Sequence, residues 1–106
     1  MMFDKELLEQ ATDAAGIDFK VTQEKRQDGS VYYDWNPLTN DGDALRLAVR
    51  LGIDSVIFID AVGNGYTECY AGFNGTFREF HNDDPYAATR RAIVRAAAEI
   101  GRNGSC

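Results

Sequence analysis

The run from Asp34 to Gly52, Asp-Trp-Asn-Pro-Leu-Thr-Asn-Asp-Gly-Asp-Ala-Leu-Arg-Leu-Ala-Val-Arg-Leu-Gly, constrains the fold more than any other part of the chain. Pro37 has no N–H to donate and pushes Asn36 toward an extended conformation, so a strand ending near Trp35 must turn there. Thr39, Asn40 and Asp41 are all good N-cap residues, and the pattern leaves open which one caps. Asp43 then stands in the first turn, where the helix dipole favours an acid. From Ala44 onward, Ala44, Leu45, Leu47, Ala48, Val49 and Leu51 cover a wide apolar arc and leave only Asp43, Arg46 and Arg50 on the other face. So wide an arc predicts a central helix buried on most of its circumference. Gly52 ends it as a residue that takes positive φ cheaply, and Asp43 can pair with Arg46 for about 0.2–0.5 kcal/mol. Trp35, Pro37, Asp41, Asp43, Leu45, Leu47 and Leu51 are the structural residues this stretch singles out.

The flanking chain fills in an order. A first helix is predicted from Asp4 to Ala15, with Leu7, Leu8, Ala11, Ala14 and Ala15 as a narrow stripe and Gly16 as its stop. Ile17, Phe19 and Val21 alternate with polar residues as a strand. Gln23 to Ser30 reads as a long polar tip with an Asp28-Gly29 turn, and Val31, Tyr33 and Trp35 return as the second strand of a hairpin. After the central helix, Ser55 to Ile59 is a continuous apolar run, the mark of a strand covered on both faces. Gly63-Asn64-Gly65 turns into a strand over Tyr66–Ala71. It carries Tyr66, Glu68 and Tyr70 on one face and Thr67, Cys69 and Ala71 on the other. Asn74-Gly75 turns again into Phe77–His81. Asp84 and Pro85 start a last helix as N-cap and first residue. Tyr86, Thr89, Ile93, Ala96, Ala97 and Ile100 share its stripe, and Gly101 closes it. Arg91, Arg95 and Arg102 stand opposite. Residues 1–102 are thus one domain, and 103–106 form a flexible tail. The class is α+β, in the order α-β-β-α-β-β-β-α, with a mainly antiparallel sheet in a helix–sheet–helix sandwich.

At 106 residues the chain is long enough to bury one core without metals or disulfides. No apolar run approaches the ~20 residues of a membrane span, and acids at Asp4, Glu6 and Glu9 interrupt any signal-peptide pattern. Cys69 and Cys106 read as reduced thiols, which suits a cytoplasmic location. The net charge of −6 argues against direct nucleic-acid binding, which runs on phosphate neutralisation. The charge is uneven: residues 1–43 carry ten acids and four bases, residues 85–106 four arginines and one acid. Such a surplus keeps a protein soluble, and its sharper reading is an acidic face that docks on a basic partner.

Two segments carry a family resemblance. Trp35 to Gly52, quoted above, resembles the signature of the phage ABA sandwich domain family and related small phage and prophage proteins. Asp84-Pro-Tyr-Ala-Ala-Thr-Arg-Arg-Ala-Ile-Val-Arg-Ala-Ala-Ala-Glu-Ile-Gly101 resembles the same group. Together they cover about a third of the chain. The resemblance implies a helix–sheet–helix sandwich and a phage-encoded protein at work in the cytoplasm of a bacterial host. It assigns no catalytic residues.

Chemistry is hard to find in the pattern. Asp34, Asp41 and Asp43 crowd one turn, and Glu68, Glu79 and His81 are further possible ligands of a hard-metal or nuclease-like site. The plainer reading makes Asp41 and Asp43 helix-start acids, Glu68 and Glu79 exposed strand positions, and His81 a surface or capping residue. No zinc spacing and no phosphate loop is present, so no enzyme and no cofactor is expected. The leading expectation is a non-enzymatic protein that binds and inhibits or modulates a host protein, such as a component of an anti-phage defence system. Candidate contacts are Lys25 and Arg26 in the tip, Tyr66, Glu68 and Tyr70 on one strand face, and Arg91, Arg95 and Arg102. Tyrosine and arginine are common interface anchors, although a tyrosine row on a strand more often packs beneath a helix. The alternatives are a metal-dependent hydrolase or nuclease, and a sponge for a nucleotide signal held by Arg90, Arg91 and Arg95, with a homo-oligomer as one form it can take.

Overall fold

The computed structural model describes residues 4–16, 23–25, 31–33, 35–72 and 75–104. Asp34, Arg26, Asn74, Cys106 and the expected strand over Ile17–Thr22 lie outside them. The elements run α1 (Asp4–Ala14), β1 (Gln23–Lys25), β2 (Val31–Tyr33), α2 (Asp41–Leu51), β3 (Asp54–Ile59), β4 (Gly65–Tyr70), β5 (Thr76–Phe80) and α3 (Pro85–Gly104). The class is α+β, as the pattern predicts. The difference lies near the N-terminus. Gln23–Lys25, expected in the polar tip, form a strand that pairs antiparallel with β2, Gln23 opposite Tyr33 and Lys25 opposite Val31. That pair is a sheet of its own beside the three-stranded antiparallel sheet β3-β4-β5.

Asn36 and Asn40 decide how α2 begins. The Asn36 side chain accepts from the Leu38 N–H at 3.0 Å across Pro37, and its carbonyl accepts from the Asn40 N–H at 2.9 Å. Asn40 is the N-cap, accepting from the Asp43 N–H at 2.9 Å. Asp43 reaches back with one oxygen to the Asn36 N–H at 3.0 Å and takes Arg46 on the other at 3.2 Å. The proline turn and the helix start are therefore one hydrogen-bonded knot. At the far end Gly52 has φ 66°, and Ile53 N–H returns to the Ala48 carbonyl at 2.9 Å, a left-handed cap no other residue type adopts as cheaply.

The helix is less buried than its composition predicts. Ala44, Leu47 and Ala48 face the core, whereas Leu45 is 64% and Val49 73% exposed. Among the elements it meets, α2 packs chiefly on α3. The i, i+4 pair Leu45 and Val49 therefore looks away with Arg46 and Arg50, and Leu45 is not a core residue.

Helix α3 is the hub, packing on α1, α2, β4 and β5. Asp84 caps it, accepting from the N–H groups of Tyr86 and Ala87 at 3.1 and 3.0 Å. Its buried surface is alanine-rich (Ala92, Ala96, Ala97, Ala98) around Ile93 and Val94, so α1 approaches closely with Ala11 and Ala15. Tyr86, which the spacing puts in the buried stripe, is 70% exposed on the wall of an open groove. Gly101 does not close the helix, which continues through Asn103 and Gly104. Its role is contact with α1: a Cβ there would lie 2.4 Å from the Gln10 carbonyl oxygen and 3.1 Å from the Ala14 Cβ.

The sheet register sets two faces. Thr67 and Cys69 of β4 are fully buried against the helices, with Phe77 of β5 half-buried beside Cys69. Tyr66, Glu68 and Tyr70 are on the other side, which carries no helix among the described residues. β3, whose apolar run predicts cover on both faces, is instead the exposed edge, with Ile57, Phe58 and Ile59 all open. The reason is geometric: α3 lies over β4 and β5 and leaves β3 bare.

Candidate functional site

Alternation along β4 and its register with both neighbours build the open face. Phe58 stands opposite Tyr66, Val56 opposite Glu68 and Asp54 opposite Tyr70. On the far side Phe80 pairs with Tyr66, Arg78 with Glu68 and Thr76 with Tyr70. Three aromatic rings thus cross the sheet in one row. Phe58 and Tyr66 have centroids 4.8 Å apart at 32°, and Tyr66 and Phe80 are 6.0 Å apart, edge to face at 67°. Offset and edge-on geometries are those that ring quadrupoles favour. Phe58 remains 46% and Phe80 62% exposed.

One ion pair braces the row. Arg78 donates through Nε to Glu68 Oε1 at 2.8 Å and through a second nitrogen to the same oxygen. Tyr70 donates its hydroxyl to Glu68 Oε2 at 2.8 Å. The Arg78 guanidinium also lies 4.2 Å from the Tyr66 ring centroid. The Arg78 and Tyr70 hydrogen bonds hold the Glu68 carboxyl below its ordinary range. Donation to that carboxylate pushes the Tyr70 phenol up, and the same bond raises Arg78. At the end of the row a shallow cavity of about 240 Å³ is lined by Phe58, Asp60, Asn64, Gly65, Tyr66 and Phe80. Asp60 forms the turn beneath it, one oxygen accepting from the N–H groups of Val62 and Asn64 at 3.0 and 2.9 Å.

The covered side of β3 opens onto a second feature. Because α3 does not reach the edge strand, Ile57 and Ile59 face α2 and the first turns of α3 across a groove of about 470 Å³, with Leu45, Tyr86 and Ile93 on its walls. Arg90 closes one rim, donating to the Leu38 carbonyl at 2.9 Å and to Asp41 at 2.6 Å. Thr89 is the polar point of the wall. Its hydroxyl is 2.7 Å from that of Thr67, which is 2.8 Å from His81 Nε2. His81 is therefore not a surface or capping residue. It is 3% exposed beneath the sheet end, and its Nδ1 is buried without a partner among the described residues.

The residues expected to bind are brought together only in part. Tyr66, Glu68 and Tyr70 do share one surface, and it is the open one. They do not pack beneath a helix. Lys25 falls in β1 and Arg26 lies outside the described residues. Arg91 pairs with Asp4 at 2.8 Å, Arg95 pairs with Glu79 and lies near the Phe77 ring, and Arg102 reaches Glu99. With Arg90 on Asp41, the arginines of α3 are each engaged by a different acid and do not converge on one anion. The candidate metal ligands are dispersed in the same way. Asp41 and Asp43 are occupied at the start of α2, and Glu68 and Glu79 lie on opposite faces. No three His, Cys, Asp or Glu side chains gather around one point among the described residues. Cys69 is buried beside Ser55, its sulfur 3.1 Å from that hydroxyl, and burial pushes its thiol up.

Phe58, Asp60, Arg78 and Phe80 escaped the sequence reading, as did the groove residues Ile57, Ile59 and Tyr86. A signal for the row was there. The Gly63–Gly65 turn brings Ile59 opposite Gly65, and that register alone places Phe58 on Tyr66. No described helix is long and apolar enough to cross a membrane. Comparison with protein-family models, with curated proteins and with solved structures finds no match to the chain.

Proposed function

We propose that the chain is a non-enzymatic binding protein that docks on a host protein and inhibits or modulates it, with a component of an anti-phage defence system as the class of target. The observation that carries this reading is the edge strand β3. Ile57 and Ile59 are 57% and 61% exposed on its groove side and Phe58 is 46% exposed on the other. Leu45 and Tyr86 extend the same bare surface. Contiguous exposed apolar area of this kind marks contact sites on soluble proteins. The net charge of −6 supports a partner with a basic surface. The groove would take apolar side chains of a partner segment whose positive groups meet Asp41 on its wall. The phage context rests on the resemblance of residues 35–52 and 84–101 to the phage ABA sandwich family. The arginines of α3 are each held by an acid of the same chain, which suits a protein that acts by occupying a surface.

The test is quantitative capture. Tagged wild-type protein and a Leu45→Glu/Ile59→Glu variant are compared on extracts of infected cells, and the retained host protein is then purified for titration. Wild type is expected to bind saturably. The variant is expected to lose about 30-fold or more in affinity, as removal of a central anchor does. Equal binding by the two, or no host protein retained by either, would sink the reading.

A further inference from the structure

We propose that the Phe58–Tyr66–Phe80 row is a receptor for an arginine side chain presented by a basic segment of the partner. The inference deepens the docking reading above, and rests on it only for the partner's being a protein. The faces of aromatic rings attract cations within about 6 Å, and a guanidinium does so while stacking flat. The molecule already uses this interaction once, since Arg78 sits 4.2 Å from the Tyr66 centroid. The rings on either side, Phe58 and Phe80, are the exposed ones, and neither has a cation over it among the described residues. The cavity between them ends on Asp60. Among the described residues one oxygen of that carboxylate is committed to the turn, to Val62 and Asn64, and the other has no partner. The other is available to a fork of N–H donors, which a guanidinium supplies.

Charge on this face agrees. Asp54, Glu68 and Asp60 stand against Arg78, three carboxylates to one guanidinium, and Arg78 is neutralised by Glu68. Glu68 and Arg78 offset each other and Asp54 stands at the far end of β3, so the carboxylate that meets an arriving cation at the end of the row is Asp60. Nucleobases also stack on such rows. Their phosphates, however, would have to approach those same carboxylates without a basic track to neutralise them. A purely apolar side chain would cover Asp60 without pairing it, at a desolvation cost. Arginine satisfies ring and carboxylate together.

The experiment uses the full chain, ¹⁵N-labelled, and three short probes followed by amide chemical shifts. The probes are a glycine-flanked arginine peptide, its neutral citrulline isostere and a thymidine oligonucleotide. The arginine peptide is expected to move the amides of Phe58, Asp60, Tyr66 and Phe80 saturably. The citrulline peptide should bind at least about fivefold more weakly, since the cation is gone and the shape is kept. Phe80→Ala, and Asp60→Asn, which retains the turn acceptor, should each weaken the arginine probe about two- to fivefold in otherwise unchanged spectra. Leu45→Glu should leave it unaffected, so failure of this inference is separate from failure of the groove. Equal binding of arginine and citrulline probes, shifts centred on the acids of α1, no saturable shift, or an oligonucleotide that outcompetes the peptide at these resonances would each overturn it.

Discussion

The two faces of β4 are made of neighbouring residues on one strand and have opposite physical fates. On the covered side Thr67 and Cys69 have no accessible surface, and their polar atoms are paired within the protein, to His81, Thr89 and Ser55. On the open side Tyr66, Glu68 and Tyr70 keep partial exposure and are held by the Arg78–Glu68 ion pair, the Tyr70–Glu68 hydrogen bond and the ring and cation contacts of Tyr66. Buried polar groups make a site intolerant, because each lost partner leaves an unsatisfied atom. Exposed pairs are weak, because water competes for both members. The covered face therefore carries stability, and the open face is left free for contact. Substitutions should separate the two.

The largest effect is expected where the faces meet. Gly65 opens β4, and a Cβ there would lie 1.9 Å from the Phe58 carbonyl oxygen and 2.9 Å from His81 Nδ1. The first is backbone and cannot swing away, so β3 and β4 must part at the row and over the histidine together. Gly65→Ala should cost about 3 kcal/mol or more, the upper end for overpacking. For a chain of this size that is a fall in Tm on the order of 12 °C or more in thermal denaturation. A loss near zero would mean that the two strands are not paired at Gly65 and that the two faces of β4 are not divided there.

A middle-sized effect belongs to the covered face alone. Thr67→Val keeps the volume, but strips partners from both His81 Nε2 and the Thr89 hydroxyl, at 2.8 and 2.7 Å. A loss of about 1–3 kcal/mol is expected by denaturant unfolding. Phe80→Ala, on the open face at 62% exposure, should change stability by no more than about 0.5 kcal/mol. If Phe80→Ala proves the more damaging, the open face is structural after all.

Much of this division was legible in the chain, and the remainder fails for an identifiable reason. Period-two alternation separated Tyr66, Glu68 and Tyr70 from Thr67 and Cys69 correctly, because side-chain direction along a strand is local. Asp84, Pro85 and Gly52 were readable for the same reason, since caps are decided within a turn. Which face would be covered depends on where α3 lands, and that is not local. Its arginines find partners 49 and 87 residues away, Asp41 and Asp4. Leu45, Val49 and Ile57 read as core from composition and are exposed because no described element lies over them. Gly101 read as a helix stop because the Gln10 carbonyl it must pass belongs to the other end of the chain. His81 read as a surface residue because its partner, Thr67, sits on a different strand.

The smallest effect is electrostatic and confined to the open face. Glu68 accepts from Arg78 and Tyr70, which lowers its pKa from the ordinary 4.5. A carboxyl lowered on folding contributes stability that is present above its unfolded pKa and is lost as pH falls through the folded value. Glu68→Gln keeps an acceptor oxygen and removes the charge. At neutral pH the variant should melt slightly below wild type, by less than Thr67→Val does. The gap should begin to close as pH drops below about 4.5 and vanish once the wild-type carboxyl is also protonated. Added salt should narrow the gap at neutral pH, since an exposed pair is screened. A gap that ignored both pH and salt would show that Glu68 acts through packing. The open face would then share the rigidity of the covered one, and a row of rings held that firmly would be part of the fold instead of a surface left available to a partner.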